Sequence, residues 1–282
     1  MGGSFALALK QAGLVEQVVG FSPSPRSREK ALELGVIDEI ATSIPQAVQG
    51  ADVVLVAVPV AATEASLTAL APALNPQTLL MDVGSTKGDV VHAAQRSLGN
   101  KLGCFVPAHP IAGSERAGVE AARADLYQGQ PLILTPMAET SDTQLEQAQQ
   151  LWQGLGCHVK TMTPQTHDAT FAAVSHLPHL LAFAFIQGLS SQAQGADYMS
   201  LAGPGFRDFS RIAASDPTVW RDIFAANASE LLHQLGSFRQ SLDAFESHLH
   251  AVTQNQDLAQ HLEGLEKQIA QASAIRTQWK NN

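Results

Sequence analysis

The chain predicts an α/β fold: a doubly wound parallel sheet with helices on both faces, followed by an all-helical domain. Two observations carry this. Over roughly the first 160 residues, short β-branched or apolar runs alternate with helical stretches, as parallel strands joined by helical crossovers do. Beyond Thr163-Pro164 the strand-like runs stop, and apolar residues recur every three to four positions. The boundary falls near residue 163, so residues 1–163 and 164–282 are read as two domains, in keeping with the 282-residue length.

Each element has its own signal. Strands are read at Val18–Phe21, Val53–Val58, Leu79–Val83, Cys104–Val106, Leu132–Leu134 and His158–Met162. Helices are read between most of them, at Ser27–Leu34, Thr63–Leu70, Gly88–Leu98 and Asp142–Leu155. In the second half Thr166–Ser191, Arg207–Ala214, Pro217–Phe245 and Asp257–Trp279 read as helices, a bundle or a half-bundle completed by a second subunit. Gly2-Gly3-Ser4 opens a short helix over Phe5–Ala12, ended by Gly13. A glycine, a helix and then the strand Val18–Phe21 make the tail of a Rossmann-like dinucleotide fingerprint. The strand and Gly-x-Gly turn that should precede it, the sheet's central strand, are missing, and we expect Met1 not to be the natural start. Gly-Gly-Ser before a helix is equally an ordinary N-terminal cap.

Composition narrows the function classes. Hydrophobic residues make up 45% and charged residues 15%, enough apolar side chains for a sizeable core. The net charge of −9 without a basic run argues against nucleic acid. The longest apolar run, Val53–Ala62, is too short to span a bilayer, and no charged-then-apolar leader is present. Met1-Gly2 invites a myristoylation reading, but Ala6 stands at the required Ser/Thr position. Cys104 and Cys157 lack metal spacing and fit a reducing compartment, so the chain reads as cytoplasmic with no metal.

The chemistry-bearing residues cluster in a few segments. In His109-Pro110-Ile111-Ala112-Gly113-Ser114-Glu115, the proline pushes His109 into extended geometry at a strand end, where open α/β sheets bind ligands. An imidazole there can take a proton from a hydroxyl, or be a core histidine satisfied by a carbonyl. Asp82-Val83-Gly84-Ser85-Thr86-Lys87 puts Ser85 at the sheet's carboxyl edge, able to orient an imidazole or a cofactor amide, or simply to cap a helix. His176 and His179 share a helix face with His167 upstream, and three imidazoles around one helix suggest a substrate-facing role. Arg207 and Arg211 follow the Gly203-Pro204-Gly205 break and could grip a carboxylate, or pair with Asp208 or Asp216 at the surface. Together they suggest a small dicarboxylate held between the domains. After the second strand, Ser22 stands where an NAD enzyme carries an acid. Arg26 and Arg28 suit a 2′-phosphate, which favours NADP over the alternative NAD.

The motifs His109–Glu115, Ser175-His-Leu-Pro-His179 and Gly205-Phe-Arg-Asp-Phe-Ser-Arg211, in that order and spacing, resemble the prephenate/arogenate (cyclohexadienyl) dehydrogenases from Gly2 to about residue 250. The resemblance implies oxidative decarboxylation of prephenate, or of arogenate, with hydride transfer to NAD(P) in tyrosine biosynthesis, by a homodimer joined through its helical domain. It implies that His109 is the catalytic histidine and Ser85 the serine orienting it. It makes Glu115 an active-site acid, His179 and Arg211 substrate contacts, Arg207 the basic neighbour and Trp220 an aromatic at the pocket. It places the Val58-Pro59 turn at the cofactor, where the fingerprint reading puts Gly2 as well. A β-hydroxyacid dehydrogenase would need a lysine from the helical domain, and none occurs from Thr161 through Glu266. The rival from another class is a non-catalytic dimeric scaffold.

Overall fold

The computed structural model describes residues 1–113 and 118–279. They form two compact units, Met1–Ala228 and Ser229 onward. The first unit opens with α1 (Gly2–Ala12), β1 (Val19–Gly20), α2 (Pro25–Glu33), β2 (Glu39–Ile40), α3 (Ile44–Val48), β3 (Val53–Val56) and α4 (Thr63–Leu70). It continues with β4 (Leu79–Asp82), α5 (Gly88–Leu98), β5 (Phe105–Val106), β6 (Ala108–Pro110), β7 (Pro131–Leu134), α6 (Asp142–Gly154) and β8 (His158–Thr161). Helices then take over: α7 (Pro164–Phe171), α8 (Leu177–Ser190), α9 (Gly195–Ser200), α10 (Pro204–Ser210) and α11 (Pro217–Ala226). The second unit is built from α12 (Ala228–Thr253) and α13 (Leu258–Gln278), where the His248 ring packs against Gly264 and its Nδ1 lies 3.0 Å from His261 Nδ1.

Local sequence explains where the helices start. Ser24, Ser43, Ser141 and Thr163 each accept a hydrogen bond from the backbone three residues on, and Asp216 accepts from Thr218 and Val219. Pro25, Pro164 and Pro217 open α2, α7 and α11, where the missing N–H is not needed. Gly13, at φ 67°, closes α1 in a conformation that costs other residues more.

The strands form parallel ladders β1–β2 and β3–β4–β5, and a third ladder in which β6 runs antiparallel to β7 and β8 parallel to it. Alternate residues of β4 face opposite layers. Leu79 and Met81 join Phe5, Leu9, Tyr127 and Trp152, whereas Leu80 joins Leu67, Leu70, Val90 and Leu98. Helices therefore cover both faces, as the periodicity predicts. The edge of β3 away from β4 is unpaired among the described residues, and Val53 there is 36% exposed.

Several expectations need correction. The reading of β5 as the strand presenting His109 at its end fails, because Pro107 lacks an N–H and interrupts the ladder. The chain resumes as β6 with His109 inside it, opposite Ile133, and pairs antiparallel with β7 in a sheet expected to be wholly parallel. The helix expected over Thr166–Ser191 is interrupted by a π turn at Ala172–His176. Pro178 cannot donate to the carbonyl of Val174, and a wider turn absorbs the lost bond. The helix expected over Pro217–Phe245 breaks at Asn227, whose side chain turns inward. β2, α3 and α9 are short and carry no periodic signal.

Candidate active site

The site is assembled at the carboxyl end of β4. The Asp82 carboxylate is 2% exposed and accepts from Gly84 N at 2.7 Å, Ala108 N at 3.0 Å and Lys87 Nζ at 2.5 Å. These bonds fold the Gly84–Lys87 loop under the strand end and pin the start of β6 beside it. A charge pair this deeply buried is tolerated because each charge is matched and the remaining acceptor capacity is used.

A second carboxylate arrives from α7. Asp168 accepts from Lys87 N and Gly88 N, both at 2.8 Å, at the amino terminus of α5, where negative charge is favoured. Gly88 is required for this approach, because a Cβ there would lie 2.9 Å from Asp168 Oδ2. Asp168 Oδ1 lies 2.8 Å from His167 Nδ1, and His167 Nε2 lies 2.8 Å from His109 Nδ1. Phe171, one turn on, places its ring 4.5 Å from His167 and 4.8 Å from His109. The Asn227 amide donates to the Asp168 carbonyl at 2.8 Å and lies 3.2 Å from His176 Nδ1.

Electrostatics follow from burial. Burial pushes the Asp168 carboxyl up, but hydrogen bonds from His167, Gly88 and Lys87 outweigh it and hold it below its ordinary value. Burial, then the neighbouring His167, Lys87 and His176, hold His109 well below the usual imidazole range. Burial lowers His167 as well, partly offset by Asp168. His176 is lowered by burial to about 4.

A second cluster carries the remaining candidates. His179 donates through Nδ1 to the Ser175 carbonyl at 2.9 Å and stacks on Trp220, with ring centroids 3.5 Å apart and planes 20° from parallel. Burial lowers His179, and the Arg211 charge lowers it further, which puts Arg211 in this neighbourhood. Arg207 is exposed on α10, and Arg211 opens the following 3₁₀ turn. The turn after Pro59 packs against α11, which carries Trp220. Glu115 lies outside the described residues. Ser85 is half-buried in the loop after β4, and among the described residues no hydrogen bond joins it to His109.

At the sheet's other carboxyl ends lie the cofactor candidates. The start of α1 packs against the end of β3, where a Cβ on Gly2 would meet the Ala57 Cβ at 2.9 Å. Ser22 follows β1, Arg26 is exposed, and the Arg28 guanidinium lies 5.7 Å over the Phe21 ring. A cavity of about 570 Å³ opens at the opposite, amino-terminal ends of β3 and β4, lined by Leu14, Val53, Thr78 and Leu151, away from these groups.

The expectation of three substrate-facing histidines is corrected for two of them. His167 is 0% and His176 1% exposed, and both ring nitrogens of His167 and Nδ1 of His176 are engaged within the protein. Sequence reasoning missed Asp82, Lys87, Gly88, Asp168 and Asn227. The signal for the first three was in hand, since Asp82 closes an apolar run and Lys87-Gly88 opens a helix. Only the fold brings Asp168 and Asn227 to them.

Two family models match: "Prephenate dehydrogenase, nucleotide-binding domain" over residues 5–161 and "Prephenate dehydrogenase, dimerization domain" over 163–267. Prephenate dehydrogenase of Bacillus subtilis is 36% identical over 251 residues, 88% of this chain and 67% of that protein. Cyclohexadienyl dehydrogenase of Zymomonas mobilis is 38% identical over 215 residues, 76% of this chain and 72% of that one. Among solved structures, the A. aeolicus prephenate dehydrogenase in complex with hydroxyphenyl propionate and NAD+ matches at a TM-score of 0.84 and 35% identity. The match covers 96% of this chain and 94% of that one.

Burial of His176 predicts acid lability. The group titrates at about 4 in the fold against 6.5 in the unfolded chain, so between these values the unfolded state binds the extra proton. Its contribution is complete above about pH 6.5 and is lost as pH falls toward 4, at about 1.4 kcal/mol per pH unit. His176→Gln should flatten the pH dependence of the urea-unfolding free energy by about one proton's worth between pH ~6 and ~5. An unchanged slope would mean that His176 does not stay neutral in the fold.

Proposed function

The chain belongs to the prephenate dehydrogenase family, and from that premise we propose that it oxidatively decarboxylates prephenate, arogenate or both with a nicotinamide dinucleotide. The observation that carries the reading is His109, half-buried in β6 and backed by His167, with no ion pair of its own among the described residues. We assign residues 1–163 to cofactor binding and 164–282 to substrate binding and dimerisation.

The residues present fit a dinucleotide. The close contact of Gly2 with Ala57 brings the bare amino terminus of α1 up to the carboxyl end of β3, where backbone donors suit a pyrophosphate. Gly2 and Pro59 would hold it there, with Ser22, Arg26 and Arg28 beyond β1 at the ribose. With His109 Nδ1 directed to His167, Ser85 is left to hold the cofactor's amide. When bound, the nicotinamide supplies the hydride acceptor.

The ring carbon that bears the substrate's hydroxyl loses hydride, so the hydroxyl must lose its proton as the carbonyl forms. His109 takes that proton, and its lowered pKa keeps it neutral and ready to do so. Loss of carbon dioxide follows because it makes the ring aromatic. Arg211, with Arg207 beside it, holds a carboxylate through a planar fork of donors. The stacked His179–Trp220 pair forms a rigid wall for the substrate, and Glu115 is assigned as its acidic neighbour.

A second copy of the chain is the proposed partner. Within the first unit Val174, Phe185, Leu201 and Phe209 are exposed apolar side chains, and in the second unit so are Leu242, Leu249, Leu262 and Ile269. By length and composition the helical run Pro164–Ser190 is apolar enough to cross a bilayer. It carries His167, Asp168 and His176 in engaged, buried positions, so we read its apolar face as a subunit contact. Two buried free thiols, Cys104 and Cys157, suit the cytoplasm.

His109→Asn should bind cofactor normally and lower kcat by about two to four orders of magnitude. A variant keeping more than about a tenth of the wild-type kcat would remove His109 as the base. Arg26, Arg28 and the absence of an acid at Ser22 favour NADP, so kcat/KM should be higher with NADP than with NAD. A clear NAD preference would return both arginines to solvent.

A further inference from the structure

We propose that His167 and Asp168 are positioning residues that lock His109 in its Nδ1–H tautomer and so leave its Nε2 lone pair free to take the substrate's proton. The proposal rests on the reading of His109 as the base.

The assignment follows hydrogen by hydrogen along the chain of contacts. A carboxylate can only accept, and Asp168 already accepts from two backbone N–H groups at the start of α5. The hydrogen bond from His167, together with these two, holds its carboxyl below the ordinary value against the pull of burial. Its 2.8 Å contact with His167 Nδ1 therefore needs the hydrogen on His167. His167 is 0% exposed, and burial favours its neutral form, so its Nε2 carries a lone pair. The 2.8 Å contact from that Nε2 to His109 Nδ1 then needs its hydrogen on His109. His109 Nε2 is left bare.

The surrounding residues hold this arrangement in place. Gly88 admits the Asp168 carboxylate, Asn227 ties down the Asp168 carbonyl, and Phe171 packs against both imidazoles. In the reaction the substrate's O–H bond breaks and an Nε2–H bond forms on His109. No proton moves between His109 and His167. The imidazolium keeps its Nδ1–H pointed at a neutral acceptor whose far side is fixed by a carboxylate, so this hydrogen bond survives the transfer. Without the lock the neutral imidazole is free to carry its hydrogen on Nε2, where it cannot act as a base.

The test uses the full chain, with prephenate and the preferred nicotinamide for kinetics and ¹⁵N-labelled histidine for ring-nitrogen spectra. His109→Asn identifies the His109 signals. In the wild type we expect His109 as the Nδ1–H tautomer. His167→Phe keeps the ring's bulk but removes the acceptor, and should lower kcat by on the order of 10²–10⁴-fold with little change in KM. It should also populate the Nε2–H form. His167→Gln can accept from His109 and donate to Asp168 through one amide, and should recover at least about tenfold of the loss. Wild-type His109 in the Nε2–H tautomer would overturn the proposal, whether or not His167→Phe folds. So would His167→Phe with a kcat within about threefold of wild type and an unchanged pH profile. His109→Asn with near-normal kcat would instead overturn the reading of His109 as base, a separate outcome.

Discussion

Everything at the site depends on where the Asp168 carboxylate sits. It leaves the first helical segment after the sheet and docks on the N–H groups of Lys87 and Gly88 at the start of α5, beside the end of β4. One side chain thereby satisfies a helix terminus, sets the approach of α7 to the sheet and fixes the adjacent His167. Its demands on the sequence are specific. Gly88 has no room for a Cβ, and Asn227 spends its amide on the neighbouring carbonyl.

Asp82 does the corresponding work on the other side. It ties the Gly84 loop, Lys87 and the first residue of β6 to one strand end, so Lys87 faces Asp82 with its side chain and Asp168 with its backbone. His109 follows the pinned Ala108 directly. Its position is set by strand pairing with Ile133 on one side and by His167 on the other. Sites held by packed elements keep their geometry more closely than sites on free loops. Here a strand, a helix start and a helix interior converge on one imidazole.

Much of this was legible in the sequence, and the remainder has physical causes. α4 and α5 are observed over the spans that periodicity and flanking breaks predict, and Trp152 packs in the core on the face of α6 that the helical period marks as apolar. The three motifs around His109, His179 and Arg211 pointed to the family from residue identity alone. Missed features are those in which one residue overrides a pattern. Pro107 splits a strand, Pro178 widens a helix into a π turn, and Asn227 ends a helix that apolar spacing would continue. Asp168 was unreadable as a site residue because its partners, Lys87 and Gly88, lie about eighty positions away in sequence.

In the proposed reaction, loss of hydride and loss of carbon dioxide are coupled at one site. The most direct test follows carbon dioxide and reduced nicotinamide released from prephenate by the purified protein, with and without the oxidised cofactor. Equal amounts of both are expected with cofactor present, and no enzymatic release of either without it. Carbon dioxide released by the protein without matching reduced nicotinamide would contradict the coupling.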